Sequence, residues 1–285
     1  MVLELILTGL LQGLLLAFIA CGVMIPFRIL NFPDLTAEGS YPLGGAVCAS
    51  MIILGVYPFF AIIIAAMLAG TLGIFTAFVH LRYKVNTILS GVIISTIIYS
   101  FTLRLMGKPN IGLFDHQTLL TESSMNMKIL LVLGVFIFFI SMLYLFLNTE
   151  MGLRIRSVGL NPDFAARSSV NIASYSFLGL FLGNAYIGFA GGLMVQVQNY
   201  MDIGMGTGIV IHAIAALMIG ESIIGNKTLS RQLLAPFVGA LVYQQIQGLV
   251  LFMGMPPSDL KLLTGGLVLT IIVLKYKSQS DNLQN

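Results

Sequence analysis

Long apolar runs separated by short polar connections make up most of this 285-residue chain. A helix needs about 17 to 25 apolar residues to cross the hydrocarbon core of a bilayer. Runs 43–56 and 262–274 are shorter, so we expect them to be tilted partners of broken helices or to be extended by neighbouring polar turns. The predicted spans are 5–27, 43–56, 58–79, 87–103, 129–147, 172–197, 207–224, 233–252 and 262–274. The pattern therefore predicts an all-α polytopic membrane protein with about nine transmembrane helices, roughly eight to ten.

The composition supports this fold class and excludes a soluble domain. Hydrophobic residues make up 58% of the chain, charged residues 9%, and the mean hydropathy is +0.97. A soluble protein of this composition would expose large apolar patches. We therefore expect 1–285 to be a single transmembrane domain in the cytoplasmic (inner) membrane, in contact with lipid. The net charge of +3 is small and the basic residues are dispersed, so no nucleic-acid partner is expected.

Lysine and arginine positions predict the orientation, because cytoplasmic loops carry an excess of both. With segment 152–171 placed in the cytoplasm, the inner side receives Arg28, Arg82, Lys84, Arg154, Arg156, Arg167, Lys227, Arg231, Lys275 and Lys277. The outer side then has Arg104, Lys108, Lys128 and Lys261. We therefore predict an external N-terminus, an external loop over 104–128 and a cytoplasmic tail over 275–285.

A polar segment, 152–171, separates two of the apolar runs and carries candidate docking residues. Asn161 suits a helix N-cap, Pro162 suits the first helical position, and Asp163 lies where the helix dipole favours an anion. These signals predict a short helix of about Pro162 to Ser168 lying along the cytoplasmic membrane face. An ordinary basic loop that only sets topology is the alternative interpretation.

The first connection, 28–42, contains two prolines and a glycine where a simple helical hairpin is expected. Irregular backbone at membrane depth requires protein or water to pair its polar groups, so this connection is predicted to line a cavity or to pack under the bundle. A plain cytoplasmic loop with solvated acids is the alternative. The pathway or gate candidates in this connection are Asn31, Phe32, Asp34 and Glu38.

Two further polar residues in or beside spans are candidates for the pathway or gate. Asn184 lies in a run whose glycines at 179/183 and 188/192 have the spacing that lets helices approach closely. Its amide is expected to bond a neighbouring helix or to face a wet path, and we favour the first. Glu221, at the cytoplasmic end of its span, is expected to pair with Lys227 or Arg231 or to be solvated.

No motif in the chain indicates catalysis. Residues 220–228 come within one position of a phosphate-binding loop, but Asn226 displaces the lysine and no strand precedes the segment. The histidines lie on separate segments without ligand spacing, so no metal is expected. We therefore expect no enzyme activity and no cofactor in this chain.

The sequence resembles a known family at these segments. The run from Gly152 through Asn161-Pro162-Asp163-Phe164-Ala165-Ala166-Arg167 to Asn171, followed by the glycine-rich helix, resembles permease subunits of branched-chain amino acid and ribose ABC importers. Residues 28–44 and 219–225 are more similar to a tryptophan/tyrosine-type subgroup of these permeases. The chain lacks the E-A-A-x-x-x-G coupling consensus of the other large importer class.

The resemblance implies function and partners. It implies a homodimer around a central pathway, two cytoplasmic ATPase subunits that hold ATP and Mg, and an external lipoprotein that delivers the solute. The solute it implies is an aromatic or other apolar amino acid. The candidate ATPase-coupling residues are Arg156, Asn161, Pro162, Asp163, Phe164, Ala165 and Arg167.

Two other functions stay open from the residues alone. One is a secondary transporter driven by an ion gradient, in which Asp34, Glu38, Glu221 or His212 would carry protons. The other is a membrane anchor that does not transport.

Overall fold

Helices follow the apolar runs through the chain. The computed structural model describes residues 2–121 and 123–256, and after these only positions 259, 260, 262, 264–267, 269, 270 and 273. The helices are α1 (Val2–Met24), α2 (Ala37–Ile53), α3 (Pro58–Tyr83), α4 (Thr87–Met106), α5 (Met125–Leu147), α6 (Glu150–Leu160), α7 (Pro162–Arg167), α8 (Ile172–Gln198), α9 (Ile209–Ile224) and α10 (Leu229–Phe252). The strands are β1 (Asn110–Gly112) and β2 (Tyr200–Asp202). A π-helical turn (Ile25–Ile29) continues α1, and a 3₁₀ turn (Ile203–Gly206) precedes α9.

The all-α polytopic fold class is confirmed. In the described part of the chain, seven helices are long and apolar enough to cross a membrane, and α2 is a shorter helix of 17 residues. The predicted run 262–274 falls largely outside the described residues, as does the whole predicted tail 275–285. The predicted count of nine therefore stays a prediction.

Helix α8 lies at the centre of the bundle, packed on α1, α2 and α3. Small residues make this possible, as the glycine spacing predicted. A Cβ atom on Gly188 would lie 2.1 Å from the Cβ of Ala69, and one on Gly44 would lie 2.2 Å from the carbonyl oxygen of Gly188. Helix packing in lipid depends on such close approach because no hydrophobic force drives helices together there.

Strand pairing shows which connections share a face of the bundle. β1 pairs with β2 in antiparallel register, with Ile111 opposite Met201, so the loop after α4 and the segment after α8 lie on one side. At the other end of the bundle, Arg28, in the π-helical turn that continues α1, contacts Glu221 near the C-terminal end of α9. The β1–β2 pairing and the Arg28–Glu221 contact thus lie at opposite ends of the bundle. The predicted orientation requires this, because it places the first connection on one side of the membrane and the loop over 104–128 on the other.

The polar segment 152–171 is more helical than predicted, since only one short helix was expected there. It contains most of α6 as well as α7, and α6 begins where the Thr149 hydroxyl accepts from the Gly152 N–H. Ile155 and Val158 are buried, while Arg154 is exposed. This amphipathic pattern is only two turns long, and the basic residues obscured it in the sequence.

Helix α2 begins six residues before the predicted run 43–56 and includes Pro42 in its interior. Proline normally interrupts a helix because it lacks an N–H for the carbonyl four residues earlier, here Glu38. The first turn of α2 is supported from outside: a Cβ on Gly206 would lie 2.3 Å from the Glu38 carbonyl oxygen. The helix thus extends from the predicted run into the polar turn before it, which is one of the two alternatives left open for this short run.

Candidate functional site

A buried polar network joins the first connection to the centre of the bundle. Asp34 accepts from the Thr36 N–H at 2.8 Å and the Asn184 amide at 2.8 Å, and it also bonds the Thr36 hydroxyl. The Ser40 hydroxyl donates to Asn184 Oδ1 at 2.6 Å, and the Thr36 hydroxyl contacts that of Thr76. The network thus ties the connection, α2, α3 and α8 together.

Two of the pathway candidates, Asp34 and Asn184, are buried inside the bundle. Asp34 is 2% exposed and Asn184 is 0% exposed, so neither faces an open space. Asn184 is 12 residues into α8, about 18 Å along that helix at 1.5 Å per residue. The structure therefore brings Asp34 and Asn184 together inside the bundle, as a contact between the first connection and α8. A solvated Asp34 in a plain loop is not what the structure shows.

The other residues of the first connection are placed separately. Asn31 is exposed, with a left-handed φ of 51° that asparagine tolerates better than most residues. Phe32 is buried edge-on against His80, with ring centroids 5.0 Å apart. The Ser95 hydroxyl donates to the Leu35 carbonyl at 3.0 Å and holds this connection against α4.

A cleft of about 320 Å³, called the polar cleft below, opens on the outside of the bundle where α2, α4 and the 3₁₀ turn meet. Polar side chains share its walls with apolar residues such as Leu35, Val92 and Ile203. Ser95, one of its residues, is eight positions into α4, so the cleft lies about 12 Å along that helix and well within the membrane. The polar residues that line the cleft are Glu38, Ser95, Thr96, Tyr99, Ser100 and Thr207. Of the residues predicted as pathway candidates, only Glu38 is among them.

The exposed surfaces of α4 and α5 differ in chemistry. Each helix buries only 17% of its most apolar window in the described structure. On α5 the large exposed residues are apolar, such as Leu130, Ile137 and Phe138, as expected of a surface that faces lipid. Helix α4 has an apolar surface too, but it also exposes Thr96, Tyr99 and Ser100 at helical spacing. Hydroxyl groups at membrane depth are expected to face protein or water.

The sequence analysis missed these α4 residues. A usable signal was present, because positions 96, 99 and 100 follow the i, i+3, i+4 spacing of one helix face within an otherwise apolar run. Their relation to Glu38 was not visible, since it depends on α2 starting early enough to place Glu38 opposite the middle of α4.

An ion pair lies at the end of the bundle away from the β1 and β2 strands. Both Arg28 Nη2 and Nε lie 2.7 Å from carboxylate oxygens of Glu221, a two-pronged contact between the π-helical turn and α9. The Glu221 side chain is 4% exposed and that of Arg28 is 40% exposed. The sequence suggested Lys227 or Arg231 as the partner of Glu221, or a solvated carboxylate. Arg28 was overlooked because it is 193 positions away.

The predicted docking helix is present as α7. Asn161 caps it by accepting from the Phe164 N–H at 2.9 Å, and Pro162 occupies its first turn. Ala165 is fully buried, whereas Phe164 is 63% exposed. Asp163 and Arg167 are also exposed, and Arg156, on α6, is half-buried. Helix α7 thus presents an aromatic and a basic side chain on a short, well-capped element that is fixed by Ala165.

His212 lines a second polar cavity, of about 180 Å³, between α1, α2, α9 and α10. Its other hydrogen-bonding residues include Gln12, Tyr41 and Gln244. In the described residues no three His, Cys, Asp or Glu side chains are grouped as a metal ion would need.

Known proteins resemble this chain over most of its length. Residues 5–273 match the family described as "Branched-chain amino acid transport system / permease component". A tyrosine transport system permease protein of Clostridioides difficile (strain R20291) is 34% identical over 261 residues, which cover 92% of this chain and 88% of that protein. An uncharacterised protein of Rickettsia prowazekii (strain Madrid E) is 31% identical over 280 residues, covering 97% of this chain and 99% of that protein. No solved structure matches the chain.

Proposed function

The chain belongs to the family of branched-chain amino acid transport system permease components, and from this membership we propose that it forms the translocation pathway of an ATP-driven importer for an aromatic amino acid. A permease is a transporter component and not an enzyme. In the proposed assembly a cytoplasmic ATPase dimer supplies the energy and an external lipoprotein delivers the solute. The aromatic solute is suggested by the tyrosine transport permease to which the chain is similar.

The polar cleft is the observation that carries this proposal. A cleft lined by a carboxylate and hydroxyl groups is unfavourable against lipid, but suits a solute route. In the single chain the cleft is open on one side. A second copy related by a two-fold axis would close it and place two such surfaces around one central pathway.

Two tests separate this proposal from its alternatives. The chain is reconstituted in proteoliposomes with its proposed ATPase and binding protein, and tyrosine uptake is measured. We expect uptake to require ATP and to persist when ionophores remove ion gradients. Uptake that needs a gradient but no ATP would establish a secondary transporter, and no uptake under either condition would favour a membrane anchor.

The second test asks whether the cleft is the route. In a background with Cys21 and Cys48 replaced by Ala and Ser, the Thr96→Cys protein is divided into two samples. One sample is oxidised, and the other is kept reduced and treated with a small thiol reagent. We expect disulfide-linked dimers across the pathway and loss of most uptake after labelling. Phe138→Cys, on the lipid-facing surface of α5, is the matched control. It should form no disulfide-linked dimers and should keep its uptake after labelling. Equal behaviour of both variants would place the route elsewhere.

The proposed orientation has the N-terminus and the β1–β2 side outside the cell. Phe114, 74% exposed in the loop after β1, and Leu160, 84% exposed at the end of α6, lie at opposite ends of the bundle. A membrane-impermeant maleimide added to intact cells should label Phe114→Cys and not Leu160→Cys. Labelling with the reverse pattern would invert the assignment, and with it the cytoplasmic position of α7.

A further inference from the structure

The Glu38 carboxylate is a charged group at membrane depth for which the described protein supplies no partner. Between residues 2 and 256, apart from 122, no hydrogen bond or ion pair reaches this carboxylate. The other two acids of the pathway set differ: Asp34 is bonded within the buried network and Glu221 is paired with Arg28. Glu38 is half-buried and lines the cleft.

The rest of the cleft offers the carboxylate no compensating charge. None of the described residues lining it is lysine, arginine or histidine. The surrounding polar groups are hydroxyls, which can bond a solute but cannot neutralise a carboxylate. The Glu38 side chain is half-buried in a cleft that also has apolar walls, so its negative charge attracts a cation more strongly than it would in bulk water. The cleft is therefore built to attract positive charge.

The position of Glu38 is fixed on both sides. Its helix turn packs on α4, where a Cβ on Gly39 would lie 3.0 Å from the Cα of Ser95, and on the 3₁₀ turn at Gly206. The preceding turn is held by Thr36, which bonds both Asp34 and Thr76.

We infer that Glu38 binds the ammonium group of the transported amino acid in the middle of the membrane. The inference rests on the proposed function and adds the chemical class the cleft selects, a solute with a free amino group. The hydroxyls of Tyr99, Ser100 and Thr207 are placed to bond the polar remainder of the solute as it passes. An amino acid enters the cleft by exchanging water for these groups, and an anion without an ammonium group is repelled.

The test measures the charge of the cleft separately from transport. Thr96→Cys, in the background without Cys21 and Cys48, is labelled with a cationic and with an anionic methanethiosulfonate of similar size. We expect the cationic reagent to react faster. Glu38→Gln should lower the ratio of the two rates about tenfold, as expected for removing one unit charge from the same partly hydrated cleft. Asp115→Asn removes the same charge from the exposed external loop and should leave the ratio unchanged.

Uptake provides the second measurement. Glu38→Gln should reduce ATP-driven tyrosine uptake at least about tenfold at equal membrane abundance, and Glu38→Asp, which restores the charge, should recover part of it. An unchanged rate ratio, or full uptake by Glu38→Gln, would overturn the inference while ATP-dependent uptake by the parent still stood. Uptake by the parent that follows a sodium or proton gradient would mean that Glu38 binds a coupling cation instead. That result would also contradict the proposed function.

Discussion

Replacing Asp34 with alanine is expected to abolish uptake and to lower the thermal stability of the protein in detergent. The change leaves the Thr36 N–H and one N–H of the Asn184 amide without their acceptor inside the bundle. The Thr36 hydroxyl can still bond Thr76, and the other Asn184 N–H still bonds the Leu180 carbonyl. A buried polar group that loses its partner costs about 1–3 kcal/mol, so two such losses at one place amount to a large fraction of the stability of a membrane domain. The first connection would no longer be held against α8, and Glu38, four residues on, would lose its position in the cleft.

Asp34→Asn removes the negative charge of the side chain and keeps its shape. The amide can still accept from Thr36, but its NH₂ group meets the donating amide of Asn184 unless Asn184 turns over. We therefore expect an intermediate loss of uptake with near-normal membrane insertion. Ser50→Ala is the control on α2, the helix that follows the first connection. The Ser50 hydroxyl is buried without a partner among the described residues, so its removal should be nearly neutral.

A double-mutant cycle of Asp34→Ala with Asn184→Ala identifies the network as the cause. When two residues share a hydrogen bond, replacing both destabilises the protein by less than the sum of the two single replacements. Melting temperature and uptake rate are measured for all four proteins of the cycle. Additive effects, or an Asp34→Ala protein with parental stability, would show that the network does not hold the first connection.

The parts of the fold that could be predicted from the sequence are those set by local signals. Apolar length gave most of the spans, and Asn161 followed by Pro162 gave the start of α7 because capping depends on neighbouring residues only. Glycine spacing indicated that α8 is central, and the structure confirms this through the contacts of Gly188. Each of these inferences needs only about ten to twenty consecutive residues, so no tertiary knowledge was required.

The candidate site depends on contacts between distant residues, and the sequence could not supply them. Asp34 meets Asn184 from 150 positions away, and Thr36 meets Thr76 from 40. A polar residue in a span has many possible partners, and only packing selects one. The early start of α2 could not be decided from the sequence for a related reason, since Pro42 is a local stop signal that contacts from Gly206 and α4 override. Without that start, Glu38 could be a candidate but could not be placed in the cleft.

Truncating Phe164 is expected to uncouple the permease from its proposed ATPase. Helix α7 is fixed by the buried Ala165 and capped by Asn161, so it can present Phe164, 63% exposed, without a large loss of conformational entropy on binding. A buried aromatic anchor contributes about 2 kcal/mol or more at a protein interface, which corresponds to roughly a 30-fold weaker association when it is lost. Phe164→Ala should therefore abolish solute-stimulated ATP hydrolysis at ordinary protein concentrations.

Arg167 shares the exposed side of α7 with Phe164, three residues away, and would meet a carboxylate at the rim of the ATPase groove. An exposed ion pair contributes at most about 1 kcal/mol and is screened by salt, so Arg167→Ala should weaken association by about fivefold or less, with the difference vanishing at high salt. ATPase pull-down in detergent and hydrolysis after reconstitution measure both variants. Phe114→Ala removes an equally exposed aromatic ring at the other end of the bundle and should bind the ATPase normally. If Phe164→Ala associates and couples like the parent while its abundance is unchanged, α7 is not the docking helix, and the polar segment acts only through its positive charge.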